Sequence, residues 1–408
     1  MDKEILIGNV LYGQSGGPTS VINASAYGLF KEAFKHKNRI NKVYAMHYGL
    51  EGLLLEDLIE IKENNKNLKK LLNTPGAFFG SNRYKIDYVK DLDKLEKIYE
   101  IFKKYNIRYF FYNGGNDSMD SIYQIDKFLK SKGYACYSIG IPKTIDNDLV
   151  LTDHTPGFAS AAKFIINAVT EIYYDDASYK EGRVNIVEIM GRNAGWLTAS
   201  SLLSELNNAK PDLIYVPEVN FDINDFLNKV NEIYSKKKHC LVCVSEGIHD
   251  INNNLISRNS KEYDVFNHIQ LGGVGLYLEK IIKEKFNYKT RSIELSLLQR
   301  ANSIIPSEYD IIDAQNVSKY ALLSALRGKS SKMVIIIRQE NKTKLFKYSL
   351  ADLAEVKNKT KYLPLKFINS SHNYIEKSFM DYLFPLIKNK QKVHLNEDGL
   401  LDVYKLEK

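Results

Sequence analysis

The sequence has few cysteines, 3 in 408 residues. Cys240 and Cys243 form a C-x-x-C pair inside the apolar run "HCLVCVSEG", which predicts a buried strand. Side chains three positions apart on a strand point to opposite faces, and the pair lacks the helix N-terminus that activates a redox thiol. We therefore expect inert core thiols instead of a redox pair, and a protein that works in the reducing cytoplasm.

The sequence also lacks a membrane-spanning run and a strong charge of either sign. No apolar stretch approaches the ~20 residues of a membrane span, and the N-terminal "MDKEILIGNVLYG" has no signal-peptide pattern. Lys and Arg total 57 against 49 Asp and Glu, a net charge of +8 spread along the chain. The basic run "SKKKH" at 235–239 is interpreted as a solvated turn. We expect no membrane and no nucleic-acid partner, and a mild positive balance that suits a small anionic substrate.

A repeated pattern of strand, glycine turn and helix organises the chain. It occurs in "EILIGNVLYGQSGGPTSVINAS", "IRYFFYNGGNDSMDSIYQIDKFLKS" and "GRVNIVEIMGRNAGWLTASSLL", and amphipathic helices are predicted at 223–237 and 273–286. With 44% hydrophobic residues, the chain can bury a large core divided between two or three domains. The pattern predicts parallel α/β sheets covered on both faces. Ligands bind beyond the C-terminal ends of such strands, where the polar loops fall.

The loop "PKTIDND", at 142–148, carries the sharpest chemical signal. Phosphoryl transfer to an alcohol needs a proton acceptor, a metal that screens the phosphate oxygens and a cation that holds the donor. Asp146 can be the base, Asp148 can hold Mg²⁺ directly or through water, and Lys143 can hold the donor. An Asx-turn with an N-cap aspartate is the structural alternative, but it explains only one of the carboxylates and not the lysine.

Two glycine loops precede it. "GQSGGPTSVIN" has Gly16 and Gly17 at a tight turn, which alone is weak evidence for a phosphate site. "YNGGNDSMDS" places Asn116 and Asp117 where an anion would meet a helix N-terminus. A carboxylate there repels an anion unless a metal lies between them, or unless repulsion is its purpose.

Further loops supply cations and a carboxylate for a phosphorylated sugar. Arg192 in "EIMGRNAG" can bind a phosphate bidentately. Arg183, Arg291 and Arg300 add guanidinium groups in apolar surroundings, and Glu246 in "VSEGI" can accept hydrogen bonds from sugar hydroxyls.

Taken together, these motifs resemble those of the 6-phosphofructokinases. "SGGPTSVINA", "FFGSNR", "GGNDS", "PKTIDND", "RVNIVEIMGR", "SEGI" and "RSIELSLLQR" follow the family's order and spacing over residues 4–385. The resemblance implies two Rossmann-like three-layer α/β domains with mainly parallel sheets. Residues 1–157 plus about 305–353 would form the phosphoryl-donor domain, and residues 158–304 plus about 354–408 the fructose 6-phosphate domain.

Two positions indicate the phosphoryl donor. ATP-using members resemble "GGDGS" with "PGTIDND", whereas this chain has Asp117 and Lys143 in place of the two variable glycines. It therefore looks like the pyrophosphate-dependent branch, which implies reversible, Mg²⁺-dependent phosphorylation of fructose 6-phosphate in glycolysis. Asp117 would occupy the space that the α-phosphate of ATP needs and would repel its charge. Lys143 would stabilise charge on pyrophosphate. The alternatives are an ATP-dependent 6-phosphofructokinase and an inactive sugar-phosphate-binding regulatory homologue.

The resemblance also implies a role for each matching residue. Asp146 would be the proton acceptor, and Thr144 would contact the substrate or the transferring phosphoryl group beside Lys143. The remaining matches are Gly16, Arg83, Gly115, Asp117 and Ser118 for the donor, Asn116 and Asp148 for the metal, and Met190, Gly191, Arg192, Glu246, Arg183, Arg291 and Arg300 for the sugar phosphate. Family arginines matching Arg183 and Arg291 come from a neighbouring subunit, which implies a homo-oligomer, dimer or tetramer, with shared active sites.

Two positions depart from the family pattern. Asn116 replaces a usual aspartate that contacts Mg²⁺, and an amide oxygen is a weaker, uncharged ligand; a subset of pyrophosphate-type members shares "GGNDS". Leu297 replaces a His or Tyr that often helps to hold the sugar phosphate, which implies a cost in affinity without a change of reaction.

Overall fold

Two sheets built from buried apolar strands form the framework of the protein. The computed structural model describes residues 5–63, 67–256, 273–339, 345–388 and 395–405. The strands are β1 (Gly8–Gln14), β2 (Ile40–Met46), β3 (Leu58–Ile61), β4 (Ile107–Gly114), β5 (Tyr137–Pro142), β6 (Val184–Ile189), β7 (Leu213–Tyr215), β8 (Cys240–Ser245), β9 (Thr290–Glu294), β10 (Lys332–Arg338) and β11 (Phe346–Asp352).

Helices connect most of these strands. They are α1 (Ile22–Ala33), α2 (Gly49–Leu54), α3 (Leu92–Lys104), α4 (Asn116–Ser131), α5 (Phe158–Ala177), α6 (Trp196–Ser200), α7 (Ile223–Lys237), α8 (Val274–Phe286), α9 (Leu298–Ala301), α10 (Glu308–Leu326), α11 (Leu353–Val356) and α12 (Ser378–Ile387). Three short 3₁₀ segments lie at Leu68–Leu72, Ser201–Asn207 and Leu365–Phe367.

The larger sheet has the strand order β11-β10-β5-β4-β1-β2-β3 in the described residues. Its inner strands run parallel, and β3 and β11 pair antiparallel at its two edges. Alternate residues of β1 enter different cores: Val10 and Tyr12 pack with α1 and α10, and Leu11 packs with α3 and α4. Burial on both faces explains why these strands are continuous apolar runs.

The smaller sheet, with the order β7-β8-β6-β9, is parallel in the described residues. Cys243 packs toward α5, α6 and α12, and Cys240 packs toward α7 and α8. Both thiols are buried and free, which confirms the prediction of core cysteines on opposite faces.

The amphipathic helices predicted at 223–237 and 273–286 are confirmed as α7 and α8. Asp222 caps α7 by accepting hydrogen bonds from the amides of Asn224 and Asp225. The interpretation of 235–239 as a turn is partly wrong, because α7 continues to Lys237 before Lys238 turns into the left-handed region. Basic residues in a last helical turn favour its continuation by countering the helix dipole. No helix in the described part of the chain is long and apolar enough to cross a membrane.

A buried charge cluster, centred on His154, ties the loop after β5 to α10 and β10. The ring nitrogens of His154 lie 2.8 Å from Asp153 and 2.9 Å from Asp313, and Arg338 forms an ion pair with Asp153 at 2.9 Å. Burial opposes the charge on the imidazole, but the two carboxylates outweigh it and raise the pKa of His154 to about 9. The cluster therefore contains a protonated histidine at neutral pH.

This protonation predicts a pH-dependent stability. Because the folded pKa of about 9 exceeds the ordinary value of 6.5, the stabilisation is fully present below pH 6.5 and is lost as the pH rises through 9. We expect the free energy of unfolding to fall by about 3 kcal/mol across this interval. Denaturant titrations of the parent and of His154→Gln, which cannot titrate, measure the difference. Equal pH slopes in the two proteins would contradict the assignment.

Candidate active site

Polar loops from both sheets meet in one cleft at the C-terminal ends of the strands. The loops of each sheet contribute charged groups that act on the loops of the other sheet. A Cβ atom on Gly17 would lie 3.2 Å from the guanidinium of Arg300, and the charges of Asp146 and Glu246 act on Arg300. The predicted residues gathered in or beside this cleft are Gly16, Arg83, Gly115, Asn116, Asp117, Ser118, Lys143, Thr144, Asp146, Asp148, Met190, Gly191, Arg192, Glu246 and Arg300.

Lys143 is enclosed between the first glycine loop and the loop after β5. Its Nζ donates a hydrogen bond to the carbonyl oxygen of Gly17 at 2.6 Å, and a Cβ atom on Gly16 would lie 3.4 Å from that Nζ. Gly16 has φ +75, a conformation that favours glycine. Burial lowers the pKa of Lys143 to about 7; Arg300 and Arg83 reinforce the shift and Asp146 opposes it. An arriving anion would favour its protonated form.

Asp146 is oriented by Thr144. The Thr144 hydroxyl donates to the Asp146 carboxylate at 3.2 Å and accepts from the Asp146 amide at 3.1 Å. Burial raises the pKa of Asp146, while Thr144, Lys143 and Arg192 oppose the rise. A carboxylate with a raised pKa, fixed in a cleft, can accept a proton from a substrate hydroxyl.

The side chains of Asp148 and Asn116 are in contact at the edge of the cleft. Burial, followed by the charge of Asp146, raises the pKa of Asp148 to about 7, and a hydrogen bond from the Asn116 side chain opposes this rise. The Oδ1 atom of Asn116 is buried and has no hydrogen-bond partner in the described residues. A carboxylate beside an unpartnered amide oxygen suits a hard divalent cation that keeps waters and phosphate oxygens as its other ligands. No group of three or more His, Cys, Asp or Glu suited to a metal occurs in the ranges described.

The second glycine loop ends at the N-terminus of α4. Gly115 is the N-cap, and a Cβ atom there would be in ordinary contact with the Lys143 carbonyl at 3.8 Å. A Cβ atom on Gly114 would meet the Ser118 hydroxyl at 2.0 Å, so glycine is required. Ser118 donates to the hydroxyl of Ser15 at 2.9 Å. Asp117 lies in the first turn of α4, half-exposed, and its carboxylate is 3.9 Å from Lys85.

The smaller sheet contributes the loops after β6 and β8. The amide of Gly191 donates to Glu246 at 3.1 Å, and the amide of Met190 donates to Gln299 at 3.1 Å. Gly191 has φ +147, and its carbonyl accepts a hydrogen bond from Ser245 at 2.6 Å. Burial raises the pKa of Glu246 to about 7, and the charge of Asp146 adds to this rise. Glu246 is therefore held by backbone contacts and electrostatically coupled to the opposite loop.

Arg183 and Arg291 lie outside the cleft of their own chain. Arg183 precedes β6 and pairs with Asp176 at 3.5 Å, whereas Met190 follows the other end of the same strand. At about 3.3 Å per residue the two positions are roughly 20 Å apart. Arg291 is aligned with Asn185 near the same N-terminal edge and is exposed, unlike the apolar surroundings expected from the sequence. Leu297 is also exposed.

A cavity of about 660 Å³ opens at that N-terminal edge. It is lined in part by Asp176, Asp212, Lys237 and His239. The cavity and the cleft are thus at opposite edges of the smaller sheet, and groups at the cavity cannot contact a ligand held in the cleft of the same chain.

Three residues that support the cleft were not predicted from the sequence. Gln299 holds the amide of Met190, Glu218 accepts from the amides of Gly195 and Leu363 at 2.8 and 2.7 Å, and Lys361 contacts the loop after β5. Each acts on a residue distant in sequence, and no local motif marks it.

The profile of the phosphofructokinase family matches residues 9–325 of the chain. The chain belongs to the phosphofructokinase family. The matched region includes every predicted site residue. Phosphotransferases of this family generally use a divalent metal, which agrees with the Asp148 carboxylate and the unpartnered amide oxygen of its neighbour Asn116.

Relatives within the phosphofructokinase family match along nearly the whole chain. A pyrophosphate–fructose 6-phosphate 1-phosphotransferase of Halomonas elongata is 38% identical over 408 residues, covering 98% of this chain and 96% of the relative. The enzyme of that name from Methylococcus capsulatus is 38% identical over 387 residues, covering 94% and 92%. The solved pyrophosphate-dependent phosphofructokinase of Marinobacter aquaeolei is similar at TM-score 0.87 and 36% identity, covering 98% of this chain and 96% of that one. The predicted α/β class with mainly parallel sheets is confirmed.

Proposed function

We propose that this phosphofructokinase-family protein is a diphosphate–fructose-6-phosphate 1-phosphotransferase. It would transfer a phosphoryl group reversibly between pyrophosphate and the 1-hydroxyl of D-fructose 6-phosphate, giving phosphate and D-fructose 1,6-bisphosphate. The observation that carries the proposal is the enclosed ammonium of Lys143, hydrogen-bonded to the glycine loop beside Asp146. Relatives that share nearly the full length of the chain bear the corresponding name.

The donor site suits a compact polyanion. Pyrophosphate would bind between Gly16, Arg83 and the N-terminus of α4 at Gly115 and Ser118, where backbone N–H groups and the helix dipole favour negative charge. Lys143 would lie against the phosphate that leaves when the other phosphoryl group is transferred to the sugar. A nucleotide would have to extend past Asp117, whose carboxylate in the first helical turn repels an α-phosphate.

Asp146 would accept the proton from the 1-hydroxyl as the sugar oxygen attacks the near phosphorus of pyrophosphate in line. Thr144 orients the carboxylate through two hydrogen bonds. Lys143 and the amides of the glycine loops would stabilise charge on the equatorial and leaving oxygens. In the reverse direction, protonated Asp146 would return the proton to the sugar oxygen.

Asp148 and Asn116 would hold Mg²⁺, directly or through water. The ion, when bound, screens the charge of the phosphate oxygens. Since Asn116 contributes no charge, Asp148 would be the stronger of the two ligands.

The sugar phosphate would bind on the opposite wall. Met190, Gly191 and Arg192 would line its site, Glu246 would accept hydrogen bonds from its hydroxyls, and Arg300 would bind its 6-phosphate. Arg183 and Arg291 would complete the phosphate site of a neighbouring subunit, since each lies at the far edge of the sheet in its own chain. This arrangement requires a homo-oligomer with shared active sites.

The two sheets support the proposed division into domains. Residues 1–157 plus about 305–353 would form the donor half and contain the larger sheet. Residues 158–304 plus about 354–408 would form the sugar-phosphate half; 257–272, 389–394 and 406–408 of this range lie outside the described residues.

Replacing the proposed base tests the chemical step. Asp146→Asn keeps the shape of the side chain but cannot accept the proton, so we expect kcat with pyrophosphate to fall by ~10²–10⁴. The KM for fructose 6-phosphate should change little. Asp381→Asn makes the same chemical change at an exposed position and is the control. A loss of kcat below tenfold would exclude Asp146 as the base.

The donor preference can be tested by placing glycine at the two positions that indicate the donor. Asp117→Gly with Lys143→Gly should move the ratio of kcat/KM for ATP to that for pyrophosphate toward ATP by at least about tenfold, the effect of ~1.4 kcal/mol. Asp117→Asn retains bulk without charge and separates the two causes of exclusion. Assays of the parent with each donor also distinguish the ATP-dependent and inactive alternatives. An unmoved ratio would mean that Asp117 does not exclude ATP.

The shared site predicts complementation between two impaired variants. Arg291→Ala should raise the KM for fructose 6-phosphate, because a phosphate contact is lost in ground and transition states alike. At fructose 6-phosphate concentrations far below that KM, its mixture with Asp146→Ala should contain hybrids with one intact site and recover up to about a quarter of parent activity for a randomly mixed symmetric dimer. Verified subunit exchange without recovery would rule out a shared site.

A further inference from the structure

A segment from the C-terminal part of the chain, residues 360–363, crosses behind the two polar loops of the cleft. We call it the crossing segment. The amide of Lys361 donates to the carbonyl of Asp148 at 2.7 Å, beside a bridge between Leu149 and Thr360. The carbonyl of Lys361 accepts from the indole of Trp196 at 3.0 Å. The segment thus joins the loop that carries Asp146 and Asp148 to the first turn of α6, which follows the sugar-phosphate loop.

The Lys361 ammonium donates all three of its hydrogen bonds to the loop after β5. It donates to the carbonyls of Thr152 and Asp153 at 3.0 and 2.9 Å and to the Oδ1 of Asn147 at 3.0 Å. It also lies 5.0 Å from the centroid of the Trp196 ring. Three acceptors use the three donor hydrogens of the lysine.

Asn147 separates the proposed base from the proposed metal ligand in "TIDND". Its side chain is fully buried, and it binds Lys361 through Oδ1 and the hydroxyl of Tyr382 through Nδ2 at 2.9 Å. Its φ of +55 lies in the left-handed region. Asparagine tolerates this conformation, and its side-chain contacts hold the turn. The orientation of Asp146 and Asp148 therefore depends on what Asn147 contacts behind them.

We propose that Lys361 is a positioning residue for phosphoryl transfer: through Asn147 and the carbonyls of Thr152 and Asp153 its ammonium fixes the loop that presents the base and the metal ligand to the cleft. The inference rests on the proposed function for its kinetic consequence. Lys361 lies beyond residues 9–325, the part matched by the family profile. Misplacing a reacting group by about 1 Å can cost ~10²-fold in rate, so a residue outside the cleft can control kcat.

A purely stabilising role is the alternative, and a neighbouring cation provides the matched control. Arg338 also bridges the halves, bonding to Asp153 and to the carbonyl of Tyr382 at 3.0 Å. None of its described bonds involves Asn147 or Asp148. Lys361→Met keeps the aliphatic stem and removes the ammonium, and Lys361→Arg keeps the charge. Arg338→Met removes a comparable cation from the same interface.

Steady-state kinetics compare these variants under conditions where each is folded. Far-ultraviolet circular dichroism and the denaturant midpoint serve as the folding check, because the single tryptophan, Trp196, lies against the side chain that is replaced. We expect Lys361→Met to lower kcat by ~10–10²-fold with the KM for fructose 6-phosphate within about threefold. Lys361→Arg should recover at least part of the loss, and Arg338→Met should keep kcat within about threefold of the parent. Equal kcat losses in Lys361→Met and Arg338→Met would overturn the proposal.

A double-mutant cycle tests the route through Asn147. Asn147→Gly removes the side chain and retains access to the left-handed conformation. If Lys361 acts through Asn147, the double variant should lose little more kcat than the worse single variant; multiplication of the two losses would contradict this route.

Hydrogen exchange gives a readout without turnover. Peptides covering 144–150 should exchange at least about fivefold faster in Lys361→Met than in Arg338→Met, and equal exchange would overturn the proposal. A parent enzyme inactive with pyrophosphate would refute the proposed function, while the exchange comparison would still decide whether Lys361 positions the loop.

Discussion

The cleft depends on a charge balance among groups that are partly withdrawn from water around the buried Lys143. Lys143 is enclosed against the carbonyl of Gly17, and its pKa is lowered to about 7. The charge of Asp146 acts on both Lys143 and Arg300, and that of Glu246 acts on Arg300. Burial raises the pKa of both carboxyl groups. Buried charges are tolerated only when opposite charges or hydrogen bonds compensate them. Among the cleft glycines, Gly114 and Gly191 leave no room for a Cβ atom, and Gly16 has a positive φ.

The same balance explains why a small polyanion suits the site. Pyrophosphate would bring several negative charges to Lys143 and Arg83 and would favour the protonated form of the lysine. Phosphoryl transfer mainly requires that the protein hold the reacting groups in fixed positions. Lys361 fits this picture, because it contributes no atom to the cleft and acts only on the placement of the loop behind it.

Much of this arrangement could be predicted from the sequence because its signals are local. The apolar run before "GGNDS" and the polar turn after it define β4 and the start of α4 without tertiary information, and "PKTIDND" places Lys143, Asp146 and Asp148 after β5. The family resemblance supplied their order in space. The contacts of Lys361 with Asn147 and of Gln299 with Met190 span more than 100 residues, and neither residue has a local pattern. The turn predicted at 235–239 overlaps the end of α7 at Lys237. A basic run resembles a polar turn when the dipole of the preceding helix is ignored.

The strand order has a consequence for how the chain folds during synthesis. The four strands of the smaller sheet, β7, β8, β6 and β9, come from one continuous stretch of the chain. In the larger sheet, β5 pairs with β10, which is synthesised about 190 residues later. Until then β5 is an open strand edge, the kind of surface on which chains pair with one another. Closing it requires a long-range contact, which is slow to form. The nascent protein therefore exposes the edge of β5 while the sugar-phosphate half is being translated, and β10 covers that edge.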